Sequence, residues 1–172
     1  MKWYAISGTW RYTNEKVEQD VREIVRGIIE NGDGIVTGAA YGVDSFAISE
    51  ALKIDSTGKS IKSCIPVSPE LYKKLFYKER FEEGNITESQ YEEMSDLLNK
   101  LILVNYDAFI FDKDNKEVNK NTHFKQNDVI IDFCDELYAF QVNDSEGTQD
   151  AINKAKELEK PVHIKKYSIN IG

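Results

Sequence analysis

The chain has 172 residues, 41% of them hydrophobic and 30% charged, with a formal net charge of −8. This fits one globular domain with a sizeable core. It argues against tight, sequence-independent binding to nucleic acid, which depends on Lys and Arg neutralising phosphates. No apolar run is long enough to span a membrane. Met1-Lys2-Trp3-Tyr4 enters a strand pattern directly rather than a signal peptide, so the expected location is cytoplasmic. Cys64 and Cys134 sit among apolar residues and read as small core residues. The two histidines, His123 and His163, cannot make a metal site on their own.

Taken in chain order, residues 3–9 read as a buried strand. A helix over about 14–31 follows, with Val17, Val21, Ile24, Val25, Ile28 and Ile29 as its apolar stripe. Residues 34–38 form a second strand, about 43–52 a second helix, and 61–67 a third strand. Residues 69–120 read as a helical insertion, a lid or a dimerisation element, broken at Gly84-Asn85 and holding a short strand at 108–111. Within it Lys73, Lys74, Lys78 and Arg80, interrupted by Glu79, Glu82 and Glu83, read as a solvated helix face. A helix over 121–133, a strand over 136–142, a helix over 148–159 and a strand over 161–167 complete the chain. Strands alternating with helices predict an α/β, three-layer sandwich with a mostly parallel sheet and helices on both faces. The whole chain, 1–172, is one domain in this reading.

Three strand-to-helix turns carry glycine, around Gly8, Gly38-Gly42 and Gly147. In a parallel sheet all three open on the same edge, where backbone amides and helix dipoles suit an anion. The candidate phosphate-binding residues are Ser7, Gly8, Thr9 and Arg11 in the first turn, Thr37, Gly38, Tyr41 and Gly42 in the second, Asn127 in the later helix, and Ser145, Gly147 and Thr148 in the third turn. Arg11 offers a bidentate, permanently charged fork. Asp44 reads as a cap on the second helix, and Tyr41 as a stacking surface or a cover for the crevice.

The segment Ile35-Val-Thr-Gly38-Ala-Ala-Tyr-Gly42-Val-Asp44-Ser-Phe-Ala47 resembles the signature of the DprA/Smf family of DNA-processing proteins. There a strand runs into a Ser-Gly-x-Ala-x-Gly-Ile-Asp turn and an alanine-rich helix. Phe124-Lys-Gln-Asn127-Asp-Val-Ile-Ile131 is similar to the Arg-Asn-Arg-x-Ile segment of that family, and residues 137–160 resemble its next strand, turn and helix. The wider group is the SLOG superfamily, which also holds the LOG-type phosphoribohydrolases. The resemblance covers residues 3–67 and 121–167. It implies a Rossmann-like fold that binds a nucleotide or DNA, and dimers are common in these families.

The chain departs from both patterns. The basic Gly-Ser-Arg first turn of DprA proteins is Ser7-Gly8-Thr9-Trp10-Arg11 here, and two further family arginines are Gln126 and Tyr41. The catalytic Glu of LOG enzymes falls at Ala151. Asp150 stands one residue earlier, a rotation of about 100° on a helix. The leading expectation is therefore a small-molecule nucleotide held by its phosphate, with no other cofactor required. One alternative is an N-glycosidic hydrolase using Glu146 or Asp150. The other is DprA-like binding of single-stranded DNA, with Trp10, Tyr12 and Tyr41 to stack bases, ranked lower because of the net charge.

Overall fold

A computed structural model describes residues 1–171. Six strands form one sheet in the order β4-β3-β2-β1-β5-β6. They are β1 (Trp3–Gly8), β2 (Gly34–Thr37), β3 (Ile61–Cys64), β4 (Phe109–Ile110), β5 (Glu136–Val142) and β6 (Val162–Tyr167). Every pairing is parallel. Connections from β1 run outward to β2 on one side, and the chain returns to β5 on the other. That reversal opens a crevice beyond the carboxyl ends of β1 and β5.

The helices cover both faces. Against one face pack α1 (Glu15–Glu30) and α2 (Val43–Ile54), with the α1 stripe Val17, Val21, Val25, Ile28 and Ile29 buried as its spacing predicts. Against the other face pack α6 (Lys120–Phe133) and α7 (Glu146–Glu157), over Ala5, Val36, Leu137 and Ala139. Lys160 ties this second layer together. Its ammonium donates to the carbonyls of Ile131, Asp132 and Cys134 at 2.6, 3.1 and 2.7 Å, closing the α6 C-terminus.

Residues 69–104 pack into the first layer rather than lying outside it. They comprise α3 (Pro69–Tyr72), a π-helical stretch (Lys73–Lys78), α4 (Glu79–Glu82) and α5 (Glu88–Val104). A π register brings residues five apart onto one side. Tyr72 and Tyr77 accordingly meet edge to face at 5.5 Å, and Tyr72 stacks on Phe76 at 5.0 Å. All three rings are buried. Arg80 leaves the expected solvated face and lies over Phe76 and Trp10, 5.4 and 6.0 Å from the ring centres, pairing with Glu83.

The first two glycine turns are built around each other. A Cβ on Gly8 would stand 2.4 Å from Val43 Cγ2, and one on Gly42 would stand 2.6 Å from the Thr9 carbonyl oxygen. Gly42 also has φ +92°, a backbone region that side chains resist. Gly8 is thus required by the seat of α2 on β1, besides bordering the crevice. Replacing Gly42 by Ala is expected to lower stability by at least about 2 kcal/mol, read from the urea midpoint at unchanged slope. An unshifted midpoint would show that this contact carries no weight.

Candidate functional site

At the crevice lies a cavity of about 520 Å³ bordered by all three turns. Ser7, Gly8, Thr9 and Arg11 line it from the first turn, Gly38 and Asp44 from the second, and Ser145, Gly147 and Thr148 from the third, with Asn127 reaching in from α6. Thr37, Tyr41 and Gly42 do not line it. Thr37 is fully buried, its hydroxyl placed between the Ile6 carbonyl (2.7 Å) and Asp44 Oδ1 (2.8 Å). Tyr41 turns toward α5, where its hydroxyl accepts from Gln90 at 2.9 Å, so it is not positioned to stack on a ligand in the cavity.

The three turns differ in what they offer an anion. In the second, the protein itself takes the donors. The Ala40 amide donates to Asp44 Oδ2 at 3.1 Å, and the Val43 amide at the start of α2 donates to Thr9 O at 3.4 Å. Two amides of this turn are therefore already bonded within the protein. In the third, consecutive left-handed residues Asn143 and Asp144 (φ 49° and 54°) turn the chain from β5 into α7; these residue types tolerate that conformation. α7 begins at Glu146, two residues before the expected start. No side chain caps it, since the Ser145 hydroxyl donates instead to Thr148 Oγ1 at 2.7 Å. Gly147 sits in that first turn, and a Cβ there would meet nothing within 4 Å. This helix start, without a side-chain cap among the described residues, borders the cavity with backbone amides of the kind that suit an anion.

The remaining wall is aromatic and sparsely charged. Trp10, Phe124, His123 and Tyr72 line it. Arg11 lies over the Trp10 ring at 4.9 Å. Lys120 lines the same side and pairs across the mouth with Glu146 at 3.0 Å. Burial and the neighbouring Arg80 pull His123 below its ordinary range, which favours the neutral ring. Burial pushes the Cys64 thiol up to about 12, so this wall residue is a poor nucleophile.

Comparison with known proteins identifies the chain. A family model described as DNA recombination-mediator protein A matches residues 1–171. The chain belongs to that family. Among solved structures it is similar to DNA processing protein A from Helicobacter pylori, a structure described for its single-stranded DNA binding mode. Identity there is 18% and the TM-score 0.66, covering 95% of this chain and 64% of that one. It is also similar to DNA processing protein A (DprA) from Streptococcus pneumoniae, at 15% identity and TM-score 0.52, covering 94% and 58%. The chain thus spans less than two thirds of either structure, and at these identities the likeness shows the fold. A search of curated proteins returns no match.

Beside the expected Asn127, the cavity takes in residues of α6 that reading by motif left out. Lys120, His123, Phe124 and Asn127 all face it. Their spacing of three, four and seven residues marks one side of a helix, a signal present in the sequence but read only for its apolar positions. Asn127 uses its amide to bind the Gly147 carbonyl (3.2 Å) and Asp150 (3.0 Å), holding α6 to α7. Asp150 also pairs with Lys154 at 2.9 Å and is not among the residues bordering the cavity. Glu146 does line it, at the exposed rim and engaged with Lys120. Among the described residues no helix is long and apolar enough to cross a membrane.

Asp44 borders the cavity floor, and removal from bulk water pushes its carboxyl up to about 6 against the lowering effect of its Thr37 and Ala40 hydrogen bonds. A raised folded-state value means that ionisation opposes folding. The penalty is absent below about pH 4 and grows as pH rises through about 6. Asp44→Asn, which cannot ionise, is expected to gain in melting temperature relative to wild type between about pH 4 and pH 7.5. A difference that stays constant with pH would contradict this assignment.

Proposed function

We propose that this chain is a single-stranded nucleic-acid-binding domain, and that its cavity receives one nucleotide of the strand. The observation that carries the reading is the union, in one cavity of about 520 Å³, of an uncapped helix start and an aromatic wall. The amides of Gly147 and Thr148, with Lys120 and Arg11, suit a phosphate. Trp10 and Phe124 suit a base, since stacking needs only a π-face. Membership of a family described as DNA recombination-mediator protein A, and likeness to a structure described for single-stranded DNA binding, support the same reading.

This reverses the order set by net charge. The total of −8 averages over the whole surface, whereas screening limits the reach of exposed charges to about 8–10 Å at ordinary salt. Many of the acids lie on α4 and α5, as Glu79, Glu82, Glu88, Glu92 and Glu93. Volume favours a second reading, a free nucleotide, because pockets of about 300–1,000 Å³ take small ligands.

Fluorescence anisotropy of labelled oligo-dT separates the two. Binding is expected with a shallow salt dependence, a log–log slope of about −1.4 for two neutralised phosphates. Trp10→Ala should weaken it by about five- to a hundredfold, the worth of one stacked base, and Lys120→Glu should flatten the slope. Gly147→Ala should weaken binding with no loss of stability, because its methyl would meet no protein atom within 4 Å. No strand binding, or displacement by dTMP as effective as by the oligonucleotide, would overturn the strand reading; the second outcome favours the free nucleotide.

A further inference from the structure

Asp44 is a carboxyl on the cavity floor that pairs with no cation among the described residues, its hydrogen bonds coming from Thr37 and Ala40. Tyr72 lines the same cavity, and the Tyr77 hydroxyl donates to the Ala39 carbonyl at 2.5 Å. Thr37 serves Oδ1 and the Ala40 amide serves Oδ2. A carboxylate offers about four acceptor positions, so each oxygen keeps one for a donor arriving from the cavity. An acceptor pair in the same cavity as the rings of Trp10 and Phe124 is suited to the edge of a base.

We propose that Asp44 makes this cavity selective for guanine among the bases. The inference rests on the reading that the cavity receives a nucleotide. Guanine sets N1–H and the N2 amine side by side, matching two carboxylate oxygens as a fork matches a fork. Adenine and cytosine each set one amine beside a ring-nitrogen acceptor, and thymine flanks its single N3–H with two carbonyls. Against an ionised carboxylate each of these brings an acceptor onto an acceptor, so the same group that favours guanine repels the rest. Fixed by Thr37 and Ala40, the carboxylate is held in place before the base arrives.

The test is competition against labelled oligo-dT at about pH 8, where the carboxyl is ionised. The competitors are oligo-dT strands carrying one central dG, dA or dC. The dG strand is expected to compete about tenfold better than oligo-dT, within the range for a bidentate base contact, and better than the dA and dC strands. In Asp44→Asn, with folding checked by melting, the dG advantage should vanish. Equal competition by all four strands with wild type, or a dG advantage that survives in the variant, overturns the proposal. A parallel titration with dGMP, dAMP, dCMP and dTMP keeps the two readings apart. Failure of every strand to bind while dGMP binds best would sink the strand reading and leave the Asp44 assignment standing. Absence of any dGMP preference together with absence of strand binding would sink both.

Discussion

The site depends on a steric constraint, the close seat of α2 on the turn after β1. Gly8 accepts the Val43 side chain, and Gly42 passes under the Thr9 carbonyl with φ +92°. A methyl at either point would push the helix off the strand. The contact fixes the back wall of the cavity and brings Asp44 within reach of Thr37 and Ala40. The glycines that resemble a ligand-binding signature therefore act first between two pieces of the protein. Gly147, whose outward side is empty, is the one that leaves room for something else.

That division explains how two similar turns take different roles. Both place a helix start beside the crevice, and a helix start favours an anion by only about 0.3–1 kcal/mol. At α2 the protein supplies its own acceptors, the Asp44 carboxylate and the Thr9 carbonyl. At α7 no side chain caps the first turn, and Glu146 is drawn sideways toward Lys120. One turn thus bonds two of its amides within the protein and sets an acceptor on the cavity floor, while the other is the one proposed to take a phosphate. The aromatic wall between them completes a space with a donor end and an acceptor end.

Much of this was legible in the sequence. The Ile35-Val-Thr37 run between Gly34 and Gly38 marks β2, and the stripe from Val17 to Ile29 marks α1, because burial imposes strand and helix periods on the chain. The parallel order follows from their alternation and brings the three turns to one edge. What periodicity does not carry is side-chain direction in irregular segments. Tyr41 sits in a turn, so no repeat indicates that it faces Gln90 rather than the cavity. Arg80 lies just beyond a π-helical stretch, which shifts the register that a 3.6-residue period assumes. Asp150 lies on the side of α7 facing Asn127 and Lys154, partners 23 residues back and four ahead. Net charge is limited for a related reason, because it carries no positional information.

The central claim, that α7 and not α2 presents the anion site, is tested most directly by amide NMR during titration with oligo-dT. The account predicts that the Gly147 and Thr148 amides shift most and that the Ala40 and Val43 amides, already bonded to Asp44 and Thr9, hold their positions. Shifts led by Ala40 and Val43, with Gly147 and Thr148 unmoved, would contradict it.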